Sequence, residues 1–323
     1  MFYSSRTIVL LSSRARKFLN GVEQSPRGKR VYATILFAVA DQTQPLDIRP
    51  SPIAGSWYPG DAESLAISID QLLNNVKPKD IEGQIVGLIV PHAGHRYSGG
   101  VAAHAFSYIR GFQPEVVIVL SPLHRTADEP ILTSDHQAYG TPLGTIAIDQ
   151  DLVTGLALEL RQEYGFQLGR LRDDREHALE IELPFIQRCI ETPYTLLPIM
   201  VRDQSSRVGQ AIGKTLGSLL QGRNCLLIGS SDLSHFHPQD VAKRLDQTIL
   251  DRLERFDPEG IIQAEEQGLG FACGRGAIAA VLWAARALGA DRVEVTQYAT
   301  SGDVTGDFES VVGYGSAVIY RHN

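Results

Sequence analysis

From about Arg49 onward, apolar positions recur with two alternating periods. Leu65, Ile69, Leu72, Leu73 and Val76 fall on one helical face. Asp61, after Pro59-Gly60, is placed to cap that helix, because its carboxylate accepts free backbone N–H groups. A strand at 86–90 follows, and VVIVL (116–120) is a second buried run. Asp149 can start a helix with Leu152, Val153, Leu156 and Leu160 inward. The stretch 176–190 has helical spacing through Leu179, Leu183, Ile186 and Ile190, and Pro184 predicts a kink or a late start there. LLPIMV (196–201) and CLLIG (225–229) read as strands, with a helix through Val208, Ile212, Leu216 and Leu219 between them. Further helices are expected at 241–256, from Pro258, and at 274–290, and the tail segments 293–299 and 310–321 are strand-like.

Alternation of this kind predicts an α/β fold: a single three-layer domain with a largely parallel central sheet and helices on both faces. The domain is expected to occupy residues 46–323. Residues 1–45 stand apart, with seven basic and two acidic residues. Within them Gly28-Lys29-Arg30, the apolar VYATILFAVA and Ala38-Val39-Ala40 resemble an export signal over residues 28–40. The other readings of this arm are a disordered extension and an over-long gene start. Without export, a cytoplasmic location is expected.

In open α/β sheets, ligands bind beyond the carboxyl ends of the strands. Four polar clusters follow or adjoin apolar runs here: Pro91-His92-Ala93-Gly94-His95, Ser121-Pro122-Leu123-His124-Arg125, the run Ser230 to His237, and Cys273-Gly274-Arg275-Gly276. Parallel strands would bring them to one edge. Imidazole and thiolate donors in one cleft point to a metal such as iron, copper(I) or zinc rather than magnesium or calcium. Cys273 at a helix N-terminus near Arg275 is expected to lose its proton readily. Each residue also has a plainer reading: a hydrogen-bonded histidine, or a cysteine that only packs. Asp232 and His235 are spaced to form an orienting pair, with histidine as acid or base. Equally, Ser231 and Asp232 can cap a following helix. Glu176 suits a helix first turn, and His177 suits either the cleft or an exposed helix start. His104, His136, His237 and His322 receive no role. Gly99 and Gly100 fit a tight strand-to-helix turn, since no lysine-bearing phosphate loop is present. No G-x-S-x-G elbow supports a serine hydrolase.

Charge narrows the classes further. The net charge of -7 argues against nucleic acid as partner. No apolar run reaches membrane-spanning length. Three cysteines, Cys189, Cys225 and Cys273, are too few for a disulfide framework.

The strings IAGSWYPGD (53–61), PHAGHRYSGG (91–100), SPLHR (121–125), REHALEIELPF (175–185), SSDLSHF (230–236) and CGRGAI (273–278) together resemble the Memo family. Its bacterial members are known as system protein B of the AmmeMemoRadiSam set. The resemblance runs from about residue 49 to the C-terminus. It implies a fold similar to class III extradiol ring-cleaving dioxygenases, which use non-haem iron(II) held by two histidines and a glutamate. In Memo proteins a cysteine takes the glutamate's place. Carried over, His92, His124 and Cys273 would be metal ligands, His235 the acid–base group, and His177 and Asp232 would line the pocket as catalytic residues. Iron(II) is the first expectation for the cofactor, with copper(I) or zinc as alternatives, because a thiolate softens the site. The implied function is a metal-dependent oxidoreductase. The rivals are a peptide- or partner-binding module, with Trp57, Tyr58, Arg125 and Arg275 as contacts, and a metal-handling protein. An unknown small molecule or peptide and the AmmeMemoRadiSam companions are the expected partners.

Overall fold

The computed structural model describes residues 45–322. The basic arm, with its signal-like stretch at 28–40, lies outside the described residues. In chain order the elements are β1 (Ile48–Arg49), α1 (Ala62–Asn74), β2 (Gly83–Val90), α2 (His95–Phe106), β3 (Val116–Pro122), β4 (Ile131–Ser134), β5 (Ala138–Thr141), β6 (Gly144–Ala147), α3 (Gln150–Glu159), β7 (Leu168–Leu171) and α4 (Leu183–Cys189). They continue with β8 (Thr195–Val201), α5 (Ser206–Leu219), β9 (Cys225–Ser230), β10 (His235–His237), α6 (Gln239–Glu254), α7 (Pro258–Glu266), α8 (Arg275–Ala287), β11 (Arg292–Thr300), α9 (Gly302–Thr305) and β12 (Val311–His322).

Helix starts follow their caps. Asp61, Asp149 and Asp257 accept from the N–H of Ser64, Leu152 and Gly260 at 2.8, 2.9 and 2.9 Å. Pro184 sets a late start: residues 180–182 form a single tight turn and α4 begins only at Leu183.

The main sheet has nine strands in the order β10-β12-β2-β9-β3-β8-β4-β7, with β11 paired to β12. Its centre, β2-β9-β3-β8, is parallel. Its margins are not: β12 runs antiparallel to β2, and β4 antiparallel to β8. A separate small sheet joins β1, β5 and β6. Every residue of β3 and β9 is buried, which requires cover on both faces. Helix α8 lies against β3 and β9 with α5 packed outside it, and α2 lies against β2 and β12 with α1 and α4 against it. The α5–α8 approach is close because Gly209, Gly213 and Gly217 recur at one-turn spacing. A Cβ on Gly213 would come within 2.5 Å of Trp283 Cβ.

Gly99 and Gly100 do not form the strand-to-helix turn. Helix α2 already begins at His95, so both lie inside it. Gly99 instead makes room for α1, since a Cβ there would lie 2.9 Å from Leu72 Cδ1. Register decides where the chemistry goes. Val90 pairs with Ser230, Leu120 with Gly229 and Pro122 with Val201, so β2, β9, β3 and β8 end at one edge.

Candidate metal centre

The residues beyond that edge build two walls. The inner wall comes from the ends of β2 and β9 and the start of α8. His92 and Ala93 donate their N–H groups to Asp232 Oδ1 at 2.7 and 3.2 Å, so the carboxyl group ties the two strand ends together. His92 Nδ1 lies 3.0 Å from Ser230 Oγ, and Nε2 lies 3.1 Å from Cys273 Sγ. The cysteine N–H donates to the Asp232 carbonyl at 3.2 Å. Gly274 lets this loop press against β9, because a Cβ there would fall 2.9 Å from Ser231 Cβ. Its N–H donates to Ser231 Oγ at 2.9 Å, which ties the start of α8 to the end of β9. All of this is nearly dry: His92, Ser230, Ser231 and Asp232 are buried.

The outer wall is a loop. Glu176, buried on the segment 172–180, accepts at Oε2 from the His124 N–H (2.7 Å) and faces His124 Nδ1 from Oε1 at 3.0 Å. The same Oε1 accepts from the N–H of His177 and Ala178 at 2.9 and 3.0 Å and lies 3.2 Å from His177 Nδ1. The His124 and His177 rings stack 4.9 Å apart, and Trp57 covers His177 at 4.2 Å. One ring nitrogen from each of His92, His124 and His177 falls within 4.8 Å of the others. Each of these rings has its Nδ1 occupied by a polar neighbour, which leaves Nε2 as the free donor.

A model of the family described as Memo-like protein matches residues 49–318. The chain belongs to the Memo family. It is similar to a MEMO1 family protein of Nitrosopumilus maritimus, at 32% identity over 274 residues, covering 83% of this chain and 98% of that one. A MEMO1 family protein of Methanopyrus kandleri is also 32% identical, over 288 residues, covering 84% and 99%. Among solved structures, an uncharacterized protein from Escherichia coli K12 superposes on 73% of this chain and all of its own length, with a TM-score of 0.43 and 11% identity.

In this Memo-family chain the two walls differ electrically. Burial, then the His177 and His124 charges, hold His92 well below the ordinary imidazole range, so it is neutral. Burial also lowers His177 to about 4, against the pull of Glu176. His124 is the exception: burial opposes its protonation, but the Glu176 carboxylate outweighs that and raises it. Burial alone would raise Glu176, yet the His124 ring and N–H and the Ala178 N–H bring it down to about 2. Asp232 goes the other way. Burial lifts it to about 7 despite two N–H donors.

Three expectations need correction. Burial first, and the Asp232 charge second, hold the Cys273 thiol above its ordinary range in the metal-free chain, against the ready proton loss expected of it. Arg275, expected to stabilise the thiolate, is ion-paired with Glu265 instead. Asp232 does not orient His235, since no hydrogen bond joins them among the described residues. His235 sits on β10 opposite Val312, 5.5 Å from the Phe271 ring, with its buried Nδ1 unpartnered. Nor do Ser231 and Asp232 cap a following helix, because β10 follows them. His95 belongs to the first cluster but leaves the cleft, with Nε2 3.0 Å from the Ile181 carbonyl. Tyr58 is core, donating its hydroxyl to Glu180 at 2.7 Å, while Trp57 stays partly exposed.

The residue that sequence reasoning missed is Arg49. Almost fully buried on β1, it clamps the outer loop. Its Nε and Nη2 donate to Asp174 Oδ2 and Oδ1 at 2.8 and 2.7 Å, Nη2 also reaches the Glu176 carbonyl at 2.9 Å, and Nη1 pairs with Glu180. The guanidinium lies 4.8 Å over the Tyr139 ring. Its position just ahead of IAGSWYPGD was the one available signal.

Proposed function

We propose that this Memo-family chain is a metal-dependent oxidoreductase whose ion is held by His92 and His124 through Nε2 and by Cys273 through Sγ. What supports this reading is the anchoring of the Nδ1 atoms: Ser230 engages His92, and Glu176 engages His124. Imidazoles with one nitrogen tied and the other turned to a shared space are how proteins present metal ligands. The donors fit a soft first-row ion. With ligand bonds of about 2.0–2.3 Å, a sulfur and a nitrogen 3.1 Å apart can share one ion. Iron(II) is the first candidate, and copper(I) or zinc are the alternatives. When bound, such an ion supplies Lewis-acid or one-electron chemistry to a small substrate.

The chain's own residues have separate tasks. His235 has a buried, unpartnered Nδ1, and burial holds its ring below the ordinary imidazole range, so it stands neutral and ready to accept a proton. His177 stays neutral at pH 7 and offers Nε2 to a substrate hydroxyl on the open side. Asp232 positions His92 through its backbone. A partner-binding reading of the same pocket draws on exposed Trp57 beside His177. Partner capture that survives metal removal would favour it. No described helix is long and apolar enough to cross a membrane.

The test is anaerobic loading followed by metal analysis. The expected result is about one ion per chain, lost in the His92→Ala, Cys273→Ala double variant. Equal binding by parent and variant overturns the assignment.

A further inference from the structure

Beneath the inner wall lies a buried acid that the metal site does not use. Three glutamates on one short segment are almost fully buried: Glu176, Glu180 and Glu182. Glu176 faces His124, and Glu180 is paired with Arg49. Glu182 has no Lys, Arg or His nitrogen within ion-pair distance among the described residues. We infer that Glu182 is a neutral carboxylic acid that donates its proton to Ser230, and that this bond locks Ser230 as the acceptor fixing His92 in its Nδ1–H form. Glu182 is thereby a positioning residue for the candidate centre.

One hydroxyl with a single proton faces three polar neighbours here. Ser230 Oγ lies 2.7 Å from the Ala178 carbonyl oxygen, 2.7 Å from Glu182 Oε1 and 3.0 Å from His92 Nδ1. A hydroxyl carries one proton and two lone pairs. The carbonyl can only accept, whereas a carboxyl can donate when protonated, so the one arrangement that bridges all three contacts gives the Ser230 proton to Ala178. The other two neighbours must then donate. His92 does so as Nδ1–H, and Glu182 can do so only when protonated. An ionised Glu182 would compete for the same proton and leave a buried, close oxygen pair unbridged, which is costly. Burial without a counter-charge raises the Glu182 carboxyl well above its ordinary range, and the nearby Asp232 charge acts in the same direction.

The consequence reaches the site. With Nδ1 carrying the proton, His92 Nε2 is a bare lone pair, and it faces Cys273 Sγ. In the metal-free protein the sulfur can donate S–H to it, and the same lone pair turns to an ion once the thiol has lost its proton. The proposal extends the metal reading, but its tests use metal-free protein, so either can fail alone.

Infrared difference spectra of wild type against Glu182→Gln at neutral pH should show the carbonyl stretch of a protonated carboxylic acid, lost in the variant. Nitrogen-15 NMR of the His92 ring should show Nδ1 protonated and Nε2 bare in wild type and Glu182→Gln. In Ser230→Ala the Nε2–H form should rise to a measurable fraction. A carboxylate band in place of the acid band overturns the neutral Glu182. Nε2–H in wild type, or an unchanged tautomer in Ser230→Ala, overturns the lock.

Discussion

The two walls of the candidate centre solve the same problem by opposite means. The inner wall holds His92 with neutral neighbours, a serine hydroxyl and the N–H groups bound to Asp232, in a dry space between strand ends. The outer wall holds His124 and His177 with an ionised glutamate on a loop, and that loop is clamped by a buried arginine. Strands fix side chains through the sheet's own hydrogen bonds, so a ligand at a strand end needs little further support. A loop has no such frame and needs charge to hold its shape. The difference predicts that the outer wall fails first, and by electrostatic injury.

The largest expected effect is Arg49→Met. It leaves Asp174 and Glu180 buried without their cation and should cost about 3–5 kcal/mol, read as a shift in the urea unfolding midpoint. Arg49→Lys keeps the charge but loses the fork, and should fall in between. A stable Arg49→Met would contradict the clamp.

Behind both walls, His95 should carry an acid sensitivity of its own. Burial lowers His95 from 6.5 to about 4, and its hydrogen bond to the Ile181 carbonyl only partly offsets that. The unfolded chain therefore takes up this proton first. The stability owed to neutral His95 is complete above pH 6.5 and is lost as pH falls from 6.5 to 4. The span is worth about 3 kcal/mol. Asp232, raised from 3.8 to about 7, works in the opposite sense across this whole range, so the whole protein's curve is a difference. Subtracting the His95→Gln curve from wild type isolates the histidine. A difference flat between pH 7 and 4 would refute its buried neutral state.

Glu176→Gln is the sharper and smaller probe. It retains the shape and some hydrogen bonds but removes the charge behind two imidazoles. Metal affinity should drop about 10–100-fold with little change in fold. An unchanged dissociation constant would mean the outer wall is not part of the site.

The same contrast explains what could be read from the sequence. The inner wall is nearly legible, because β2 and β9 are continuous apolar runs whose polar residues begin where the strands stop. His92, Ser230 and Asp232 announce themselves there. Cys273 could be placed, but its protonation could not. A helix N-terminus and a nearby arginine argued for thiolate, whereas the fold gives that arginine to Glu265 and sets Asp232 beside the sulfur. On the outer wall, Glu176 and His177 stood out as residues, but not the scaffold behind them. Arg49 lies in a two-residue strand with no periodic signal. Glu180 and Glu182 look like the solvated face of a helix, and burial by tertiary packing reverses that. The parallel centre of the sheet was readable for the same reason as the inner wall. The margin at β4 and β7 was not, nor the small sheet's β5 and β6, since these four strands are four residues each and too short to show alternation.

The central claim is that a single ion bridges the walls, taking sulfur from one and imidazole from the other. X-ray absorption at the metal edge of anaerobically iron(II)-loaded protein tests it directly. The account predicts one sulfur and two imidazole nitrogens in the innermost shell, with the sulfur lost in Cys273→Ser. A wild-type shell of nitrogen and oxygen alone, unchanged by that substitution, would contradict it.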